Sequence, residues 1–145
     1  MNATTIHHRV PFYETDAMGI VHHANYIRYL EVARVAWMDE HDRPYREYVA
    51  DGFHFSTTRV EFDYKRSAVF DDVLDVTTWL DWVGGASLSM SYELKRGDDL
   101  IGSGLTEHAL VDLEGALCRI PPVHRTRLRG LSVSGAKRAR GRATR

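Results

Sequence analysis

The chain has 145 residues, 43% of them hydrophobic and 27% charged, with a net charge of −1, the composition of one soluble globular domain that can bury roughly 70% of its unfolded surface. Its single cysteine, Cys118, excludes an internal disulfide and a cysteine-rich zinc site, and its place in an apolar run before Pro121 and Pro122 makes it a buried small hydrophobe. No apolar run reaches the ~18 residues of a membrane span, and the polar start, MNATTIHHR, lacks the apolar stretch of a signal peptide, so no membrane span and a cytoplasmic location are expected.

Residues 5–12, TIHHRVPF, read as a first strand that ends where Pro11 interrupts the ladder. His7 and His8 point to opposite faces of such a strand and cannot jointly hold a metal. A polar run then ends at Asp16, Gly19 permits a tight turn, and Ile20 and Val21 lead into a helix. That helix is expected over residues 24–39, about 24 Å long. Tyr26, Leu30, Ala33 and Trp37 recur at helical spacing as its core stripe, Ile27 and Met38 flank them, and Arg28, Glu31 and Asp39 lie opposite. Glu31 and Arg34, three residues apart, read as a helix-surface ion pair. A shorter connecting helix follows Pro44, a residue suited to a first helical position, and ends at Gly52.

From Phe53 onward the period changes to two. A strand is expected over residues 55–64, and a second over 74–82 with Leu74, Val76, Leu80 and Trp82 facing inward. Gly84-Gly85 turns the chain into a third, where Leu88, Met90, Tyr92 and Leu94 alternate with Ser87, Ser89, Ser91 and Glu93. Gly97-Asp98-Asp99 turns it again into a strand over 100–113, closed by Glu114-Gly115, with Gly102-Ser103-Gly104 as punctuation. The result is an α+β architecture: a five-stranded antiparallel sheet with its helices on one face. Strands of eleven residues run about 36 Å, longer than the helix, so the sheet can wrap around it. Trp79 falls on the outer face of the sheet, and Val32 and Val35 lie off the helix stripe; apolar groups so placed suggest a partner surface.

Residues 131–145 hold Lys137, Arg138, Arg140, Arg142 and Arg145 and no acid, so residues 1–130 carry 14 basic against 20 acidic side chains. The domain is therefore expected over 1–130. The remainder reads as a basic, disordered tail rather than a nucleic-acid or membrane contact.

The chemistry concentrates between Tyr13 and Arg34. The first N–H groups of a helix have no internal partner and lie at the positive end of its dipole. A carboxylate just upstream, with a glycine between, can set a base and an oxyanion site around one reacting carbonyl. Against this stands the plainer alternative that Asp16 merely caps a turn. The chain has no Gly-x-Ser-x-Gly nucleophile elbow, no phosphate loop and no dinucleotide-binding glycine motif. His22 and His23, adjacent at a helix start, are expected to diverge and to hold no metal.

The segment Thr-Asp16-Ala-Met-Gly19-Ile-Val21-His-His23-Ala-Asn-Tyr26, with Glu31-x-x-Arg34 after it, resembles the 4-hydroxybenzoyl-CoA thioesterase-like family of hot-dog fold proteins, whose signature runs Asp-x-x-Gly-(Ile/Val)-Val-x-(His/Tyr)-x-x-Tyr. The resemblance spans residues 5–128 and implies hydrolysis of an acyl-CoA thioester. Asp16 would be base or nucleophile, the backbone N–H of His23 would polarise the carbonyl, and Gly19, Val21 and Tyr26 would line the substrate. Coenzyme A is then part of the substrate, and no cofactor or metal is expected. The same resemblance implies a homo-oligomer, a dimer or a homotetramer of dimers sharing a continuous sheet. Two departures stand out. Relatives often carry a tyrosine four residues before the aspartate, where this chain has Phe12, and Tyr13 would point elsewhere. Some carry basic residues where Gly84, Gly85 and Ala86 stand, so Lys65, Arg66 or Arg119 would have to meet the CoA phosphates. The alternatives are a hot-dog hydratase or dehydratase, whose Asp-x-Asn-Pro-x-His spacing is absent, and a non-catalytic acyl-CoA-binding module.

Overall fold

The structure, a computed structural model, describes residues 1–136. Five strands form one antiparallel sheet: β1 (Ala3–Arg9), β2 (His54–Tyr64), β3 (Val73–Val83), β4 (Ser87–Arg96) and β5 (Asp99–Val111), in the order β1-β3-β4-β5-β2. Three helices accompany them: α1 (His23–His41), α2 (Tyr45–Ala50) and α3 (Pro122–Leu131). The register sets Ile6, Val76, Leu94 and Gly102 across one row of the sheet and Thr78, Tyr92, Gly104 and Phe62 across the next, all on the face that α1 covers. Leu74, Val76, Leu80, Leu88, Met90 and Leu94 are fully buried there.

The helix extends a little past its expected ends because polar groups cap it. His22 Nδ1 accepts from the Ala24 N–H at 3.1 Å, and the Asp42 N–H closes the last turn on the Met38 carbonyl. The stripe Tyr26, Leu30, Ala33, Trp37 and Met38 is buried as its spacing requires. Trp37 Nε1 donates to the Asn2 carbonyl at 2.9 Å, which ties the start of β1 to the far half of the helix. Residues 10–15, which the strand pattern partly claimed, instead leave β1 and form a single tight turn over Phe12–Glu14.

A register shift in β3 reverses the strict alternation. β3 carries an extra residue between Leu80 and Trp82, so Trp82 opposes Ser89 and Val83 opposes Leu88. A bulge of this kind flips the side chains beyond it; Val83 is buried and Trp82, expected inward, is half-buried. Trp79 does lie on the outer face, but half-buried rather than exposed. Gly102 and Gly104 do not break β5, which runs through them. They let the Phe62 ring cross the strand: a Cβ on Gly102 would stand 2.5 Å from that ring, and one on Gly104 would collide with the Glu61 carbonyl oxygen.

The chain is structured beyond the boundary expected at residue 130. α3, which the residue pattern did not reveal, begins at Pro122, a good first helical residue. Leu128 is fully buried, and Arg127 Nε reaches the buried Asp42 carboxylate at 2.6 Å, where the Tyr48 hydroxyl also donates. Val133 and Ser134 then donate to the Leu80 and Asp81 carbonyls, and Gly135 accepts from the Val83 N–H. These three residues occupy the edge of β3 that β1, starting at Ala3, leaves open. Residues 137–145, with the five basic side chains expected to be disordered, lie outside the described residues. Cys118 is half-buried at the margin of the core, and among the described residues no helix is long and apolar enough to cross a membrane.

Candidate active site

Residues 14–22 fold back on themselves as a miniature hairpin. The His22 N–H donates to the Glu14 carbonyl, the Asp16 N–H to the Ile20 carbonyl, and the Gly19 N–H to the Asp16 carbonyl, all at 2.8–2.9 Å. Gly19 sits at φ +77°, where an L side chain would be strained. Asp16 thus stands at the first corner of a tight turn. Its Oδ1 accepts from the Met18 N–H at 2.9 Å, the self-capping geometry of aspartate in turns, and its Oδ2 has no hydrogen-bond partner among the described residues.

The helix start is more selective than a row of free N–H groups. The Ala24 N–H is taken by the His22 ring and the Asn25 N–H by the His22 carbonyl at 2.9 Å. Among the described residues the His23 N–H is left without a partner. The His22 and His23 rings do not diverge; they stack at 4.3 Å, both exposed.

Asp16, Val21, His23 and Tyr26 line one cavity of about 280 Å³. Gly19 is not in its wall and contributes through its backbone conformation instead. Tyr64, Lys65 and Arg66 also line it, while Arg119 lies elsewhere, against Gly85. The Tyr64 hydroxyl donates to the His23 carbonyl at 3.0 Å, and the Tyr26 oxygen accepts from the Ala68 N–H at 3.3 Å. Burial raises both phenols, keeping them neutral at ordinary pH. Phe62 stacks on Tyr26 at 5.7 Å and meets the edge of Tyr64 at 4.8 Å. The two β5 glycines, by admitting Phe62, therefore also shape this wall. Tyr64 was legible in principle, since it continues the inward alternation of β2 from Phe62. Phe12 and Tyr13 stay outside: Phe12 stacks on Phe70 at 3.7 Å and Tyr13 is exposed.

Residues 10–128 match the family model described as the thioesterase-like superfamily. The chain belongs to the thioesterase-like superfamily. A relative from Aquifex aeolicus (strain VF5) is 34% identical over 113 residues, 78% of this chain and 88% of its own. The acyl-CoA thioester hydrolase YbgC of Escherichia coli O157:H7 is 27% identical over 93 residues, 64% and 69% of the two chains. The crystal structure of a hypothetical protein from Thermus thermophilus superposes with a TM-score of 0.85 at 30% identity, covering 91% of this chain and 99% of that one. The resemblance carried by the Asp16–Tyr26 segment is thereby borne out, and the sheet is that of a hot-dog thioesterase.

Within that superfamily's fold, Asp16 and His23, each with one group that has no hydrogen-bond partner among the described residues, line one cavity. Such a pair can take a proton from water, or attack, on one side of a carbonyl while holding its oxygen on the other. Glu31 is not so placed. It is exposed and stands 4.0 Å from Arg34, which is itself buried and turned toward His108, so the expected surface ion pair is only its outer half.

Proposed function

We propose that the protein is an acyl-CoA thioesterase, with Asp16 as base or nucleophile and the His23 N–H as carbonyl donor. The observation that carries this is the pair of groups without hydrogen-bond partners among the described residues, Asp16 Oδ2 and the His23 N–H, on two residues that line the cavity with Val21, Tyr26 and Tyr64. As base, Asp16 takes a proton from water as the water oxygen attacks the thioester carbon; the C–S bond breaks and coenzyme A leaves as thiolate, which takes up the proton. As nucleophile, Asp16 forms an anhydride that water then cleaves, with the same products. A thiolate leaves readily, which agrees with the lack of a second acid at the cavity. Lys65 and Arg66 on its wall suit the phosphates of coenzyme A, with Lys as a point charge and Arg as a fork.

The superfamily name and the YbgC likeness support this reading over a hydratase. We further infer that the sheet curls around α1 as a central helix. We also infer that the protein works in the cytoplasm as a dimer or tetramer, since Val32 is 59% exposed on α1. A panel of short, long and aromatic acyl-CoAs, read by release of free thiol, tests the function. Turnover of at least one thioester is expected; tight coenzyme A binding with no thiol release from any would establish a binding module instead.

A further inference from the structure

Phe62 and two glycines form a lock behind the wall of the Asp16 cavity. β2 pairs with β5 so that Phe62 lies opposite Gly104 and Tyr64 opposite Gly102. The Phe62 ring runs over both glycines, and a Cβ at Gly102 would stand 2.5 Å from it. The ring thus occupies space in which side chains of β5 would otherwise stand. It is packed there against the core, stacked on Tyr26 of α1 with the ring centroids 5.7 Å apart.

Tyr26 and Tyr64, not Phe62, line the cavity, and the three rings form one nest. Tyr26 and Tyr64 meet edge to face at 5.4 Å, and Phe62 and Tyr64 do the same at 4.8 Å. Both phenols are also tied at their far ends, Tyr26 by the Ala68 N–H and Tyr64 to the His23 carbonyl. The wall is therefore held from two sides: hydrogen bonds fix the hydroxyls, and Phe62 backs the rings. Were the Phe62 ring removed, β5 would have no side chain at 102 or 104 to fill the gap, and an apolar gap that its surroundings cannot close stays open to an apolar group. The cavity in front of this wall measures about 280 Å³. At ~30 Å³ per water that is the room of roughly nine waters, and it must take the thioester group as well as the acyl chain.

We propose that Phe62 sets the length of acyl group that the protein accepts, which rests on the thioesterase reading above. With the ring in place the Tyr26–Tyr64 wall stands fixed, and only a short acyl chain fits in front of it. With the ring trimmed, the space over Gly102 and Gly104 joins the cavity, and a longer chain gains apolar contacts there. An apolar pocket that admits or refuses one methylene changes kcat/KM by about 10–200-fold. A loss of packing alone would lower turnover of short and long chains together, so the ratio between the two separates selection from stability.

The test measures kcat/KM for butyryl-CoA and octanoyl-CoA, read by release of free thiol. The wild-type protein should favour butyryl-CoA, and Phe62→Ala should raise the octanoyl-to-butyryl ratio at least about tenfold, while Phe62→Leu, which trims less, raises it less. A wild type that takes octanoyl-CoA as well as butyryl-CoA, or a ratio unchanged in Phe62→Ala, overturns the proposal and leaves the thioesterase reading intact. If Phe62→Ala does not fold, Phe62→Leu decides in its place, and an unchanged ratio overturns the proposal. If no thioester is hydrolysed, the thioesterase reading fails separately; calorimetric binding of the thioethers S-butyl-CoA and S-octyl-CoA then decides, an affinity ratio equal in the wild type and Phe62→Ala overturning the proposal.

Discussion

Tyr29 donates its phenolic hydrogen to Glu14 Oε1 at 2.7 Å, and His8 Nε2 meets the same oxygen at 2.6 Å. The Glu14 carboxylate is thereby held between β1 and α1, while its carbonyl accepts from the His22 N–H and from Asn25 Nδ2, each at 2.8 Å. Glu14 lies two residues before Asp16, and His22 one before His23, so one buried residue fixes both groups of the candidate site. Tyr29→Phe removes a donor from a largely buried carboxylate and should cost about 1–3 kcal/mol, read as a lower urea midpoint with unchanged slope. Because the hairpin loosens with it, kcat should fall as well.

Asp16→Asn keeps shape and hydrogen bonding but removes the basic lone pair. Turnover should drop at least about a hundredfold, the lower range of positioned general-base catalysis, with substrate binding retained. Glu31→Gln is the control, since Glu31 sits exposed at the edge of its pair with Arg34. Thiol release that survives in Asp16→Asn and vanishes in Glu31→Gln would move the reacting centre to the helix face.

Gly104→Ala forces a methyl group against the Glu61 carbonyl and the Phe62 ring. Overpacking of that kind typically costs about 1–3 kcal/mol. Thermal melts should show the loss, and the KM for a thioester should rise too, because Phe62 backs Tyr26 and Tyr64. Gly115→Ala, at an open turn with no atom near the new methyl group, tests the cost of the positive φ alone.

Stability should fall on acidification below neutrality. His108 is held near 3, far below its ordinary 6.5, by burial and by Arg34, with Thr57 and Thr106 as its other polar neighbours. The unfolded chain therefore binds a proton that the folded one refuses. This contribution is fully present above pH 6.5 and is lost as pH falls from there toward 3, at up to about 1.4 kcal/mol per pH unit. His124, lowered by burial and by Arg127 and Arg43, adds in the same direction. Urea midpoints at pH 7, 6 and 5 should decline, and His108→Gln should flatten the decline.

The sequence by itself determined what depends on near neighbours. The period-two runs became β2 to β5, the stripe from Tyr26 to Met38 became the buried face of α1, and the Asp16–Tyr26 spacing brought a carboxylate and a helix start to one cavity, because a tight turn and a helix terminus are local structures. What only the tertiary structure decided depends on partners distant in the chain. A single extra residue in β3 turned Trp82 out and Val83 in. Arg34, an ordinary surface residue by its spacing, was buried because β5 brings His108 and Thr106 over that part of α1. Glu14 became the clamp of the site because β1 carries His8 and α1 carries Tyr29 to it. Residues 133–135, too polar to suggest a strand, are paired because β1 begins too late to cover the end of β3. In each case backbone groups or charges had to find partners, and the sequence pattern specifies which face a residue presents but not what the folded chain lays against it.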